Sequence, residues 1–259
     1  MSRERLDQAL VRRGLVATRA RASDAIRRGE VTIDGRVETK PGAPVGESAV
    51  LAVADPAAAW VSRAALKLTG ALDAFALSPE SCECLDVGAS TGGFTQVLLA
   101  RGATRVTAID VGHGQLAEVV AKDPRVVAIE GLNARDLSAA HLPAAPDFVV
   151  ADVSFISLTL ALPPALDLAA PGAVGVFLVK PQFEVGRDHI GKGGIVRDAA
   201  QAIAAIDRIE AMLVGHGWTP IGRAPAAIAG GDGNQEWVLA ARKARGVIPK
   251  AEGADAPGL

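Results

Sequence analysis

Four apolar runs in this chain, "CLDVGAS", "VTAIDVG", "FVVADVS" and "GVFLVKP", each meet a charged residue at or near the C-terminal end: Asp86, Asp110, Asp152 and Lys180. Near-continuous hydrophobicity over a few residues marks a strand buried on both faces, as in a parallel sheet. Helix-like patterns alternate with these runs to about residue 245. Residues 59–247 are therefore expected to form an α/β domain, a mostly parallel sheet with helices on both faces. In open sheets of this kind, ligands bind in the crevice beyond the carboxyl ends of the strands. Charges also simply begin loops, but four in succession after buried strands favour one charged crevice.

The first run continues as "DVGASTGGFTQVLLARG". Gly88, Gly92 and Gly93 allow a tight turn and close approach to a ligand, and Phe94 opens a helix. Asp110 closes the next strand at a spacing that suits hydrogen bonds to ribose hydroxyls. The implied cofactor carries a ribose and is either NAD or S-adenosyl-L-methionine. Asp86 favours the second, because a carboxylate there attracts a cationic methionine end and repels a pyrophosphate. "GGDGNQEWVLAARKA" reads as a glycine-rich turn and then an apolar strand. Antiparallel at the sheet edge, that strand would bring Glu236 to the crevice. "GLNARDL" would place Asn133 and Arg135 near the adenine.

Lys180 is the unusual member, an ammonium at the end of a buried strand with Pro181 ending the ladder. Methyl transfer from a sulfonium asks the protein to position a nucleophile and manage its proton. A lysine serves as base where its surroundings favour the neutral amine, which a neighbouring carboxylate such as Asp152 opposes. A second cation offsets that, and Lys67 in "SRAALKLTGALDAF" is available. Leu68, Leu72 and Phe75 form the apolar face of that helix and Lys67 lies off it, so it also reads as an ordinary solvated lysine.

Charge is uneven. Residues 1–40 hold ten Arg or Lys against six Asp or Glu, whereas the whole chain has a net charge of −2. "RLDQALVRRG" and "TRARASDAIRRG" read as short helices ending at Gly14 and Gly29, with Thr18 as an N-cap. "VTIDGRVET" places Asp34-Gly35 at a type I′ hairpin. A small α+β module over residues 1–58 is expected, with Arg19, Arg27 and Arg28 off the apolar stripe. A basic segment of this kind suggests nucleic-acid contact. The boundary lies near "DPAAAWVSR", and residues 248–259 are polar and expected to lack fixed structure.

Over residues 3–52 the spacing of Leu, Arg-Gly, Arg, Ala, Ile and Gly resembles the S-four RNA-binding domain, with Thr18 and Asp34 where serine and asparagine are usual. Across residues 3–243, "DVGASTGGFTQ", "ADVSFISL", "VKPQFE", "GKGGIVRD" and "GNQEW" resemble the TlyA-type family, whose members are called haemolysin or ribosomal RNA 2′-O-methyltransferase. In that order Lys67, Asp152, Lys180 and Glu236 look like the Lys-Asp-Lys-Glu tetrad of FtsJ-like ribose methyltransferases. "SRAALKL" departs from the more usual glycine after the arginine.

The resemblance implies a Rossmann-like S-adenosylmethionine-dependent sheet preceded by the RNA-binding domain. It also implies ribosomal RNA or ribosomal subunits as partner, with cytidine 2′-hydroxyls methylated. Cofactor contacts would come from Asp86, Gly88, Ser90, Thr91, Gly92, Gly93, Phe94, Thr95, Asp110, Asn133 and Arg135. RNA contacts would come from Arg3, Arg5, Arg12, Arg13, Arg19, Arg27 and Arg28. Lys192 and Arg197, in "GKGGIVRD", would add backbone contacts or a lid, or belong to a plain surface loop. With nine aromatic residues in the chain, arginine–phosphate contacts and RNA shape should outweigh base stacking.

Two other functions compete. A membrane-lytic protein needs a spanning or amphipathic segment, and the longest apolar stretch, residues 158–179, is broken by Pro163, Pro164, Asp167 and Pro171. A non-catalytic ribosome assembly factor would tolerate loss of the tetrad, yet all four positions are filled. The N-terminal residues lack a signal-peptide core. Cys82 and Cys84 are too close for a relaxed disulfide, so a cytoplasmic location is expected. His113, His189 and the thiols make no metal constellation.

Overall fold

The basic module is organised by two helices that share one apolar seam. Leu6, Ala9 and Leu10 of α1 (Leu6–Arg12) pack with Ala22, Ala25 and Ile26 of α2 (Arg19–Arg27), all fully buried. Thr18 accepts the Arg21 backbone N–H and opens α2, while Gly14 and Gly29 take positive φ just past each helix. Strands β2 (Val31–Ile33) and β3 (Arg36–Val37) form a two-residue hairpin, and β5 (Leu51–Val53) pairs on the other side of β2. Asp34 and Gly35 both have positive φ, as a type I′ turn requires. A second ribbon joins β1 (Glu4–Arg5) to β4 (Pro44–Val45). The computed structural model of the chain describes residues 4–191, 193–231 and 233–246. It divides into two compact units, Met1–Ala59 and Trp60–Leu259. The residues expected to lack structure, 248–259, lie outside the described ones.

In the second unit, α3 (Ala65–Ala74) leads into β6 (Glu83–Val87), α4 (Gly93–Ala100), β7 (Arg105–Asp110), α5 (Glu118–Ala121) and β8 (Val126–Glu130). Next come β9 (Phe148–Ala151), α6 (Leu158–Ala161), α7 (Pro163–Leu168), β10 (Val174–Val179) and α8 (Pro181–Glu184). The long helix α9 (Ala199–Gly215) precedes β11 (Trp218–Pro225) and β12 (Trp237–Lys243). The seven strands lie in the order β11-β12-β10-β9-β6-β7-β8, with β12 antiparallel to both of its neighbours. Five consecutive strands, β10-β9-β6-β7-β8, pair in parallel. Chain order reverses between β6 and β9, the switch point where open α/β sheets bind ligands.

The last strand is antiparallel as expected, but it does not form the edge. Residues Val238 to Ala241 are buried, so β12 needs a neighbour on each side. Strand β11 carries Pro220 and Pro225 and a register shift between Pro220 and Gly222, features suited to an edge.

Strand alternation sorts the sheet into two layers. Leu85, Val87, Val149, Ala151, Phe177 and Val179 enter one core with α6, α7 and α9. Cys84, Val106, Phe148, Val150, Val176, Leu178 and Val238 enter the other with α3 and α4. Carried along by period two, Asp86, Asp110, Asp152, Lys180 and Glu236 all fall on the α3/α4 side.

One arginine of the basic module is structural. Arg28, with 12% of its side chain exposed, binds Asp24 at 2.9 Å and Asp55 at 2.8 Å and lies near Glu30. It is therefore not an outward phosphate contact. Its expected place on the surface fails because helical periodicity does not reveal a partner 27 residues away. Arg28→Met keeps the apolar stem and removes the cation shared by Asp24 and Asp55, so it should cost about 2 kcal/mol. A lowered thermal transition of the full chain is the measurement, and an unchanged one would contradict the structural role.

Candidate active site

The glycine turn after β6 is built for close approach. Gly88 has φ +83°, and a Cβ there would lie 2.7 Å from the Asp152 carbonyl oxygen, so the ends of β6 and β9 nearly touch. Gly92, with φ +94°, precedes α4 and faces Leu116 and Val120. Gly93 lets α4 meet Ser62 and the start of α3. Above the turn lies a cavity of about 180 Å³ lined by Gly88, Ser90, Thr91, Gly93 and Phe94 on one side. Asp152, Ser154 and Lys180 line the other.

Two lysine–carboxylate pairs stand at this end of the sheet. Lys180 Nζ lies 2.6 Å from Asp152 Oδ1 and donates to Ser154 Oγ at 2.7 Å. The Asp152 contact is close as an ion pair but not aligned as a hydrogen bond. Lys67 Nζ pairs with Glu236 Oε2. These two side chains are 6% and 3% exposed, so Lys67 is not a solvated lysine. It shares a buried stripe with Ala71, beside Leu68 and Leu72. Because Glu236 neutralises it, Lys67 is not the free counterweight to Asp152 that the sequence suggested. The β10–β12 register ends at Val179↔Trp237, which sets Lys180 opposite Glu236 one step beyond.

The two strand-end aspartates differ in surroundings. Asp110 accepts the Ser90 N–H at 2.8 Å and the Gly112 N–H at 2.7 Å, so it shapes the turn at the rim. Asp86 is fully buried under α4 and accepts a 2.6 Å hydrogen bond from Thr95 Oγ1. Its Oδ1 has no hydrogen-bond partner, and it does not line the cavity. Burial pushes its pKa up to about 7; the Thr95 bond opposes this and the charge of Asp152 adds to it. A buried orphan acceptor under a glycine cradle fits a cofactor with a cationic end. Asn133 Oδ1 accepts from Arg135 N and Nε at 3.1 and 3.2 Å, a local cap away from the cavity lining.

Two residues escaped the sequence reading. Glu130 ends β8 and accepts N–H groups of Gly114 and Gln115 at 2.7 and 3.0 Å, which hold its pKa below the usual carboxylate range. "VVAIE" ends in charge as the other runs do, and that was the available signal. Phe155, two residues after Val153, is 91% exposed with φ +65° and packs on Phe183 with ring centroids 5.1 Å apart. An aromatic between a strand end and a helix was its signal.

In the basic module, Arg5 and Arg19 share the buried Asp7, Arg12 binds Glu4, and Arg13 donates to three backbone carbonyls. Arg27 is exposed. Arg197 is exposed beside the Ile190↔Val196 bridge, while Arg3 and Lys192 lie outside the described residues. Among the described residues no three His, Cys, Asp or Glu gather as a metal site, and no helix is long and apolar enough to cross a membrane.

A seven-stranded sheet with one reversed strand and a glycine turn at its switch point defines a Rossmann-like methyltransferase fold. Residues 60–243 match the FtsJ-like methyltransferases and residues 4–51 the S4 domain, and the chain belongs to the FtsJ-like methyltransferase family. The 16S/23S rRNA (cytidine-2'-O)-methyltransferase TlyA of Mycobacterium tuberculosis is 47% identical over 92% of this chain and 89% of its own length. Hemolysin A of Brachyspira hyodysenteriae is 37% identical over 90% of this chain and 98% of its own. A solved structure from Streptococcus thermophilus, described as a hemolysin, has a TM-score of 0.74 at 38% identity, covering 94% of this chain and 90% of that one.

The Asp86 environment sets a pH dependence. With its folded pKa raised above the ordinary value near 4, the folded state binds more protons than the unfolded state between those limits. Its contribution to stability is therefore greatest below pH 4 and is lost as pH rises to 7. Asp86→Asn removes that loss, and its stability relative to wild type should climb between pH 4 and 7, by at most about 4 kcal/mol. Urea unfolding at both pH values measures it, and a pH-independent difference would refute the assignment.

Proposed function

We propose that this chain is an S-adenosylmethionine-dependent ribosomal RNA 2′-O-methyltransferase that acts on a ribose 2′-hydroxyl, in the cytoplasm where ribosomal subunits are made. The observation that carries the reading is the Lys180–Asp152 pair facing the glycine-turn cavity, with a second lysine–carboxylate pair, Lys67–Glu236, at the same end of the sheet. The 47% identity to a cytidine-2'-O-methyltransferase supports it and points to cytidine.

S-adenosylmethionine, when bound, supplies an electrophilic methyl carbon on a sulfonium. The residues that would hold it are Gly88, Ser90, Thr91, Gly93 and Phe94, with Asp110 toward the ribose and Asp86 beneath the turn. Lys180 Nζ, fixed by Asp152 and Ser154, is placed to orient the RNA 2′-hydroxyl and to offset negative charge on that oxygen as its proton passes to solvent water. Glu236 and Lys67 satisfy each other and keep the start of β12 against α3. The exposed face of Phe155 offers a stacking surface to an unstacked base. Exposed Arg27, and Arg12, whose exposed pair with Glu4 is weak enough to exchange, supply phosphate contacts, while Arg5 and Arg19 offer their exposed N–H groups with Asp7 still bound.

The test uses ribosomal subunits that lack the modification and a methyl-labelled donor. Lys180→Ala should lower transfer about a hundredfold or more while leaving donor affinity near wild type. Label incorporated equally well by the variant would refute the assigned role of Lys180.

A further inference from the structure

Two chain segments leave the Lys180–Asp152 pair, and one carboxylate ties them together downstream. Helix α8 begins directly after Lys180 and ends at Glu184. The loop of residues 153–157 begins directly after Asp152 and ends at Ser157, the N-cap of α6. Glu184 Oε2 accepts a 2.6 Å hydrogen bond from Ser157 Oγ, and Oε1 accepts the Leu158 N–H at 2.8 Å. Arg208 of α9 donates to the Glu184 carbonyl at 3.0 Å and so holds the end of α8 in place. Between these fastenings, Phe183 of α8 packs on Phe155 of the loop.

The loop needs fastening. Phe155 occupies the left-handed region at φ +65° with its ring almost fully exposed. A bulky residue there is strained and persists only when its surroundings hold it. Upstream, Asp152 N–H bonds to the Val87 carbonyl and Ser154 accepts from Lys180. Downstream, the named polar anchor is Glu184. Its carboxylate is partly desolvated at some cost, which burial imposes and the Ser157 and Leu158 bonds offset.

We propose that Glu184 is a positioning residue for RNA methylation, clamping the 153–157 loop to the Lys180 segment so that Phe155 stays presented beside the reacting hydroxyl. The inference rests on the ribose-methylation reading and deepens it. Glu184 acts through Phe155 and touches neither RNA nor cofactor. A carboxylate matches the two donors with two acceptor oxygens. Methionine keeps the length of the side chain and offers neither donor an oxygen, whereas glutamine could still bond both, because the Ser157 hydroxyl accepts as well as donates.

Full-length Glu184→Met, Phe155→Ala and the double variant are compared in steady-state methylation of ribosomal subunits, with donor affinity measured by calorimetry. Glu184→Met should lower kcat/KM for RNA about tenfold or more and leave donor affinity within about twofold. In the Phe155→Ala background the same change should add almost nothing, because the clamp then holds no platform. If Glu184→Met fails to fold, Ser157→Ala, which removes one donor to Glu184 together with the Ser157 bonds to Thr159, is held to the same non-additivity. Wild-type activity in Glu184→Met, or losses that multiply in full in the double variant, would overturn the proposal. A wild-type chain that does not methylate ribosomal RNA would overturn the functional reading and the clamp with it.

Discussion

An ammonium and a carboxylate can be taken out of water together far more readily than either alone. Lys67 and Glu236 meet that condition from 169 residues apart. The pair joins the helix that precedes the first sheet strand to the turn that precedes the last. Truncating either residue would leave a buried uncompensated charge, so α3 and β12 must both be in place before the sheet end is complete. The open end of the crevice therefore depends on the last strand reaching its interior slot between β10 and β11.

From that placement the site follows by alternation. Period two sends every second residue of β6, β7, β9, β10 and β12 to the α3/α4 layer, and at the crevice end of the sheet those residues are Asp86, Asp110, Asp152 and Lys180 at carboxyl ends and Glu236 at the start of the reversed β12. The chain thus groups charges first by strand register, and the Lys180–Asp152 and Lys67–Glu236 pairs form on that placement. Gly88 brings β6 and β9 close enough for backbone contact, and the cavity lies over that contact. Local sequence sets the turn, and sheet register sets the partners.

The parts legible in the sequence were those governed by neighbours along the chain. The Asp34-Gly35 hairpin, the Thr18 cap, the apolar faces of α1 and α2 and the strands ending in charge all follow from short-range spacing. What escaped was decided by partners distant in sequence. Lys67 read either as a tetrad member or as a solvated lysine, and its burial shows only once Glu236 meets it, while Arg28 read as outward until Asp55 met it. The edge position expected of β12 went to β11, whose prolines fit an edge better. The φ of Phe155 could not be read at all, because no glycine or asparagine marks it.

The central claim is that the methyl group ends on a ribose oxygen rather than on a base. Unmodified ribosomal subunits treated with the chain and a methyl-labelled donor can be digested to nucleosides and resolved by mass spectrometry. The account predicts label confined to a 2′-O-methylated nucleoside, with the added mass retained on the sugar fragment. Label on a base fragment, or none on RNA under conditions where the donor binds, would contradict it.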